Sequence, residues 1–288
     1  MTVATLAELT TRLCRVSREQ AIDPFSRLDW PDTIDRDQWF MSPELVSLHG
    51  TREWDDLDES GRHVLSFFEL VNFFSINIHG ERMLIEGLAK RLYRRHTETI
   101  SPYLHHFLDE ENKHMFYFGR FCHLYAGKVY PEKRFAVDRE HADGEEEFLF
   151  FARVMLFEEM VDVYNRRMAK DGRLVALSRE INWLHHFEEA RHLAFGRRLV
   201  EELFDEWRNR WSPEVRGRIG EELEHFLDAT WKDYFNPEAY RDAGLDDAYA
   251  LRRRVLEEPS IEERKRSICA RSARTLIELG LIREESMT

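Results

Sequence analysis

The stretch His185-His186-Phe187-Glu188-Glu189-Ala190-Arg191-His192 packs three histidines and two glutamates into eight residues. Apolar residues recur around it at three- and four-residue steps, so it belongs to a helix. A helix turns 100° per residue, so His185, Glu189 and His192 fall within about 60° of arc. Ile181, Gly196, Leu199, Val200 and Leu203 share that stripe, with Glu188 at one flank and His186 at the other. Three ionisable groups thus face a core. Unpaired polar groups are costly there, and a metal is one of the few ways to satisfy them together.

Working outward, the helix "SPYLHHFLDEENKHMFYFGRFCHLY" repeats the arrangement. Glu111 and His114 lie on a stripe with Leu104, Phe107, Leu108, Met115, Phe118, Cys122 and Tyr125, while Asp109, Glu110, Asn112 and Lys113 are expected to point elsewhere. The preceding helix sets Glu81 among Phe67, Leu70, Phe74, Ile78, Leu84, Ile85, Leu88 and Leu92, with Glu69 and Glu86 turned outward. The helix "EEEFLFFARVMLFEEMVDVYNRRMA" is apolar nearly all round, with Glu158 and Glu159 in its middle, one of which should face in. Glu81 precedes Glu111 by 30 residues, and Glu158 or Glu159 precedes Glu189 by 31 or 30. Two copies of one pattern therefore run along the chain: an inward Glu, then an inward Glu-x-x-His.

Four inward carboxylates and two histidines from two helix pairs make the ligand set of a carboxylate-bridged dimetal centre in a ferritin-like four-helix bundle. Mixed oxygen and imidazole donors favour iron over zinc and leave open positions for O₂. His185, one turn before Glu189, would add a third nitrogen or hold a carboxylate ligand from outside. Asp162 could hold a histidine ligand in the same way or lie at the surface. A third Glu-x-x-His, Glu222 to His225, has no partner helix carrying an inward Glu at the right distance and reads as structural. His186 and His106 sit off-stripe and read as solvated or hydrogen-bonded. For the whole constellation the competing reading is a set of buried salt bridges with arginine, but few arginines lie on those stripes.

The rest of the chain is consistent with this. Only 13 Gly and 8 Pro punctuate 288 residues, and alternating runs are almost missing, so the class is all-α. The spacing predicts helices near 2–19, 61–96, 101–126, 145–170, 174–209, 213–232, 246–257 and 260–280. The metal-binding bundle spans about 61–209, with additional N- and C-terminal helices. A leader at 22–50 and the loop "GKVYPEKRFAVDREHADG" carry aromatics that need packing, so one domain over 1–288 is expected. A formal charge of −13 disfavours nucleic acid and anionic membranes. No apolar run reaches the roughly 20 residues that span a bilayer, and the N-terminus does not resemble a signal peptide, so a cytoplasmic protein is expected. Cys14, Cys122 and Cys269 are odd in number and far apart, which suggests reduced structural thiols.

The order Glu81, Glu111-x-x-His114, Glu158, His185-x-x-x-Glu189-x-x-His192 resembles the non-haem di-iron N-oxygenases of the p-aminobenzoate N-oxygenase type. The similarity spans about 110 residues, and the extra histidine before the last Glu-x-x-His is its most specific element. The resemblance implies Glu81, Glu111, His114, Glu158, His185, Glu189 and His192 as ligands to two irons, with Glu158 chosen over Glu159 by the family's spacing. It implies an oxygenase, usually a homodimer, that uses O₂ to convert a biosynthetic amine to a hydroxylamine, nitroso or nitro product through a peroxo-di-iron intermediate. No Gly-x-Gly-x-x-Gly appears, so a separate reductase or small-molecule donor is expected to supply electrons. Other readings are a di-iron carbon hydroxylase or desaturase, a ferritin-like iron store, which the leader and C-terminal helices argue against, and a metal-free helical scaffold.

Overall fold

A computed structural model describes residues 5–94, 96–132 and 139–283. The expected helix start at residue 2, position 95 and the middle of the 127–144 loop lie outside the described residues. Helix α1 (Leu6–Glu19) opens on a capping box in which Thr5 and Glu8 exchange hydrogen bonds. A short α2 (Arg52–Asp55) ends the leader. The bundle follows as α3 (Glu59–Arg91), α4 (Ser101–Phe121), α5 (Glu145–Met168) and α6 (Ala176–Trp207). Beyond it come α7 (Pro213–Asp233), α8 (Pro237–Asp242), α9 (Ala248–Leu256) and α10 (Pro259–Glu278).

The sequence pattern places the long helices and misplaces their ends. The second expected helix stops at Arg91, and Tyr93 takes a positive φ of 55° soon after. The third continues past Phe121 as a π-helical turn, Cys122–Ala126, closed by the left-handed Gly127. The short α2 and α8 carry too few turns to show a periodicity and were not anticipated. The architecture is the all-α, ferritin-like bundle expected. No helix among the described residues is long and apolar enough to cross a membrane.

Helix α3 packs along α4, and α5 along α6. The two pairs meet through close ring-on-backbone contacts: a Cβ at Gly80 would lie 2.4 Å from the Phe157 ring, and one at Gly87 would lie 2.0 Å from Phe150. Both rings of α5 therefore seat against bare backbone of α3, which draws Glu81 and Glu158 toward a common centre. Helix α1 lies across α4 and α6, α7 and α10 pack on α5, and α8 packs on α3.

Candidate metal centre

The structure brings all seven candidate residues into one buried cluster. Glu111, His114, Glu189 and His192 place ligand atoms within 4.8 Å of one another, and overlapping sets join Glu81 with His114 and His185, Glu158 with His185 and Glu189, and Glu81 with Glu111 and Glu158. His192 Nδ1 is 2.8 Å from Glu111 Oε1 and 2.9 Å from Glu189 Oε1. His114 Nδ1 is 3.0 Å from Glu111 Oε2 and 3.5 Å from Glu189 Oε1. His185 Nε2 lies 3.2 Å from Glu81 Oε1 and 3.3 Å from Glu189 Oε1.

Whether these residues fit a metal pair can be tested on their unpartnered atoms. Both carboxylate oxygens of Glu81 and of Glu158, Oε1 of Glu111, Oε2 of Glu189 and Nε2 of His185 are buried without a hydrogen-bond partner. A protein core rarely leaves so many polar atoms without partners in one place. Four carboxylates carry the charge that two divalent cations neutralise, and three imidazoles complete an oxygen–nitrogen donor set. The residues fit.

The electrostatics point the same way. Burial, reinforced by repulsion from Glu111 and Glu158, pushes the Glu81 carboxyl well above its ordinary range. Burial with repulsion from Glu189 and Glu111 does the same to Glu158. Burial presses His114 down, but Glu111 and Glu188 outweigh it and hold the ring up at about 10. Metal binding to such a cluster is coupled to proton release.

Around the cluster, two further glutamates hold the histidines crosswise. His114 Nε2–H donates to Glu188 Oε2 of α6 at 3.1 Å, and His192 Nε2–H donates to Glu110 Oε2 of α4 at 2.8 Å. These bonds hold a proton on each Nε2 and leave both Nδ1 atoms facing the centre, where a cation would take the place of any proton they carry. Arg191 ties the two carboxylates together, 2.8 Å from Glu110 and 3.7 Å from Glu188. Against burial, His192 and Arg191 draw Glu110 down to about 2. The Asn165 amide meets Nδ1 of His185. Asn165 Nδ2–H donates to Nδ1, which puts the ring proton on Nε2, where a cation would displace it.

Several expectations need correction. Glu110 does not point away: it is 2 % exposed, because α1 and α6 pack on α4 as well as α3. Glu69 is buried too, accepting from Ser47 N at 2.7 Å under the leader. Met115 is only half-buried although it shares the expected stripe. Lys113, though off-stripe, is buried and paired with Asp109. Glu159 is buried but faces Arg197 at 2.7 Å, which leaves Glu158 to the cluster. Asp162 holds His186 at 2.5 Å rather than a candidate ligand. Glu110, Glu188, Arg191 and Asn165 escaped sequence reasoning. The first two carry a signal all the same, since both motifs read Glu-Glu-x-x-His, at 110–114 and 188–192.

Residues 4–280 match the sequence model of the family described as P-aminobenzoate N-oxygenase AurF. No curated protein matches the chain. Among solved structures, the chain is similar to an R2-like ligand-binding oxidase without metal cofactor at 14 % identity and a TM-score of 0.46, covering 97 % of each chain. An R2-like ligand-binding oxidase with an aerobically reconstituted Mn/Fe cofactor gives 15 % identity and a TM-score of 0.44 over 91 % of each chain.

Proposed function

We propose that this chain, which belongs to the p-aminobenzoate N-oxygenase AurF family, is an O₂-dependent di-iron oxygenase that oxidises the nitrogen of a small biosynthetic amine. The observation that carries the reading is the buried four-carboxylate, three-histidine cluster with its open donor atoms. Glu81, Glu111, His114, Glu158, His185, Glu189 and His192 would hold two irons. When bound, the pair supplies the reduction of O₂ that side chains alone cannot perform. One oxygen atom goes to nitrogen and the other leaves as water, with two electrons and two protons drawn from an external donor. The protein is proposed to act in the cytoplasm as a homodimer.

The chain's own residues do the rest. Glu188 and Glu110 orient His114 and His192, and Asn165 orients His185. Phe107 stacks on His192 with ring centroids 4.0 Å apart, and Phe118 meets His185 edge-on at 5.0 Å. These rings keep water from the nitrogen side of the cluster and strengthen its electrostatics. Glu158 lines a cavity that gives a substrate a way in.

The test is metal and product analysis. Iron-reconstituted protein should hold about two irons per chain, and Glu111→Ala should lose most of both, since its carboxylate serves two of the overlapping donor sets. Amine-dependent O₂ uptake should yield a product with a new N–O bond. Fewer than about one transition metal per chain would sink the reading, and hydroxylation at carbon would move it to a different di-iron class.

A further inference from the structure

A cavity of about 440 Å³ lies between α3, α5 and α7, and it reaches the cluster at Glu158. Its wall follows α3 from Asn72 to Arg91, about 28 Å of helix. That is long for its volume, so the space is a narrow groove. Its middle is apolar, with Leu84, Leu149, Val154, Phe150 and Phe157 among its walls.

The cations along the groove are committed. Lys90 pairs with Glu86 at 2.6 Å, Arg91 with Glu147 at 2.8 Å and Arg153 with Glu222. Among the described residues these are the lysine and arginines that line it. With these cations already balanced, a substrate carboxylate entering the groove would give up its water and meet Glu86, Glu132, Glu146 and Glu158 along the same walls. In the same cavity wall as Glu158, by contrast, His79 Nε2–H donates to Tyr130 O at 2.7 Å, and its buried Nδ1 has no partner. An amine N–H complements that atom.

Resting on the oxygenase reading, we infer that the substrate is an amine with an elongated, uncharged apolar tail, bound with nitrogen toward Glu158 and His79 and tail along α3. It is not an amino acid or an aminobenzoate.

Calorimetric titration of the anaerobic iron-loaded protein with aniline, 4-ethylaniline, 4-butylaniline and p-aminobenzoate tests this. Affinity should rise about fourfold per added methylene, and p-aminobenzoate should bind at least about tenfold more weakly than 4-ethylaniline. Ala229→Trp, which fills the groove from α7, should weaken 4-butylaniline about tenfold or more and change aniline by less than about threefold. Met83→Arg, at a half-exposed wall position, adds an uncommitted cation and should raise p-aminobenzoate affinity about fivefold or more. It carries the test if the Trp variant does not fold. A flat alkyl series, or p-aminobenzoate as the tightest ligand, overturns the inference. Binding in the expected order without an N-oxygenated product would leave the groove standing and remove the oxygenase reading; product with flat binding would do the reverse.

Discussion

Two regions of this molecule bury the same motif and satisfy it in opposite ways. In α4 and α6, Glu-x-x-His turns into a core where carboxylates face carboxylates and their oxygens stay open. In α7, Glu222 of Glu222-x-x-His225 is almost as deeply buried, at 8 % exposure, yet Arg139 binds it at 2.6 Å and Arg153 binds it as well. Arg139 also meets Glu145 at 2.6 Å, which Arg218 reaches at 2.9 Å from another direction. The motif alone does not make a metal site. What decides is whether the charge it buries is already answered by cations of the protein's own.

The largest expected effect on this comparison comes from breaking the arginine-satisfied half. Glu222→Ala leaves Arg139 and Arg153 without their shared partner, and removing one member of a buried pair is costly because the other stays desolvated. Both arginines are partly exposed, so urea denaturation should show a loss of about 3 kcal/mol rather than more. Iron content should stay at that of the parent. A drop in iron content would mean that the two clusters are coupled and that the contrast is false.

Glu69 sharpens the contrast as an intermediate case: buried, hydrogen-bonded to Ser47, and felt by Arg264 only at a distance. Burial pushes its carboxyl up to about 7 despite the Ser47 bonds. Because the folded pKa is raised above the unfolded 4.5, the native state holds more protons between these values, and stability falls as pH climbs from about 4.5 to 7. Glu69→Gln removes that penalty while keeping an acceptor for Ser47. Its stability relative to the parent should therefore improve by about 3 kcal/mol across that window. A difference that does not change with pH would show that Glu69 titrates normally.

How much of this was legible follows the same lines. Helical phase located six of the seven cluster residues because each is the odd polar group on an otherwise apolar stripe; on α5, apolar nearly all round, it left Glu158 and Glu159 open, and the family's spacing chose between them. Phase failed for Glu110 and Glu69, since it assumes one buried face. Helix α4 is covered by α1 and α6 as well as α3, and α3 lies under the leader and α8. Partners such as Arg191 and Asn165 were invisible for a different reason. Their role depends on which helix crosses at which height, which spacing within a single helix does not encode. The groove along α3 rests on Gly80 and Gly87, whose purpose appears only when Phe157 and Phe150 are seated on them.

The crosswise bonds give a smaller effect. Glu110→Ala frees His192 Nε2 and takes from Arg191 its closer carboxylate, with Glu188 3.7 Å away as a poorer substitute. Iron affinity, read by competition with a chelator, should fall about 10- to 100-fold with the fold intact. Unchanged affinity would mean that Glu110 serves Arg191 and packing only.

The smallest effect should come from His225→Ala, and it is the one that most directly separates the two regions. If Glu-x-x-His were a metal motif wherever it is buried, losing its histidine would matter in α7 as it does in α4. His225 is exposed, one turn from a glutamate whose charge arginines already neutralise. Interactions made at exposed positions contribute about 1 kcal/mol or less, so stability should change by no more than that and iron content should stay at the parent's level. His192→Ala, at the corresponding place in α6, removes a candidate donor on which two carboxylates converge within 2.9 Å, and should lower iron content. Equal losses from the two variants would return Glu222 and His225 to the list of candidate metal sites and undo the distinction drawn from their arginines.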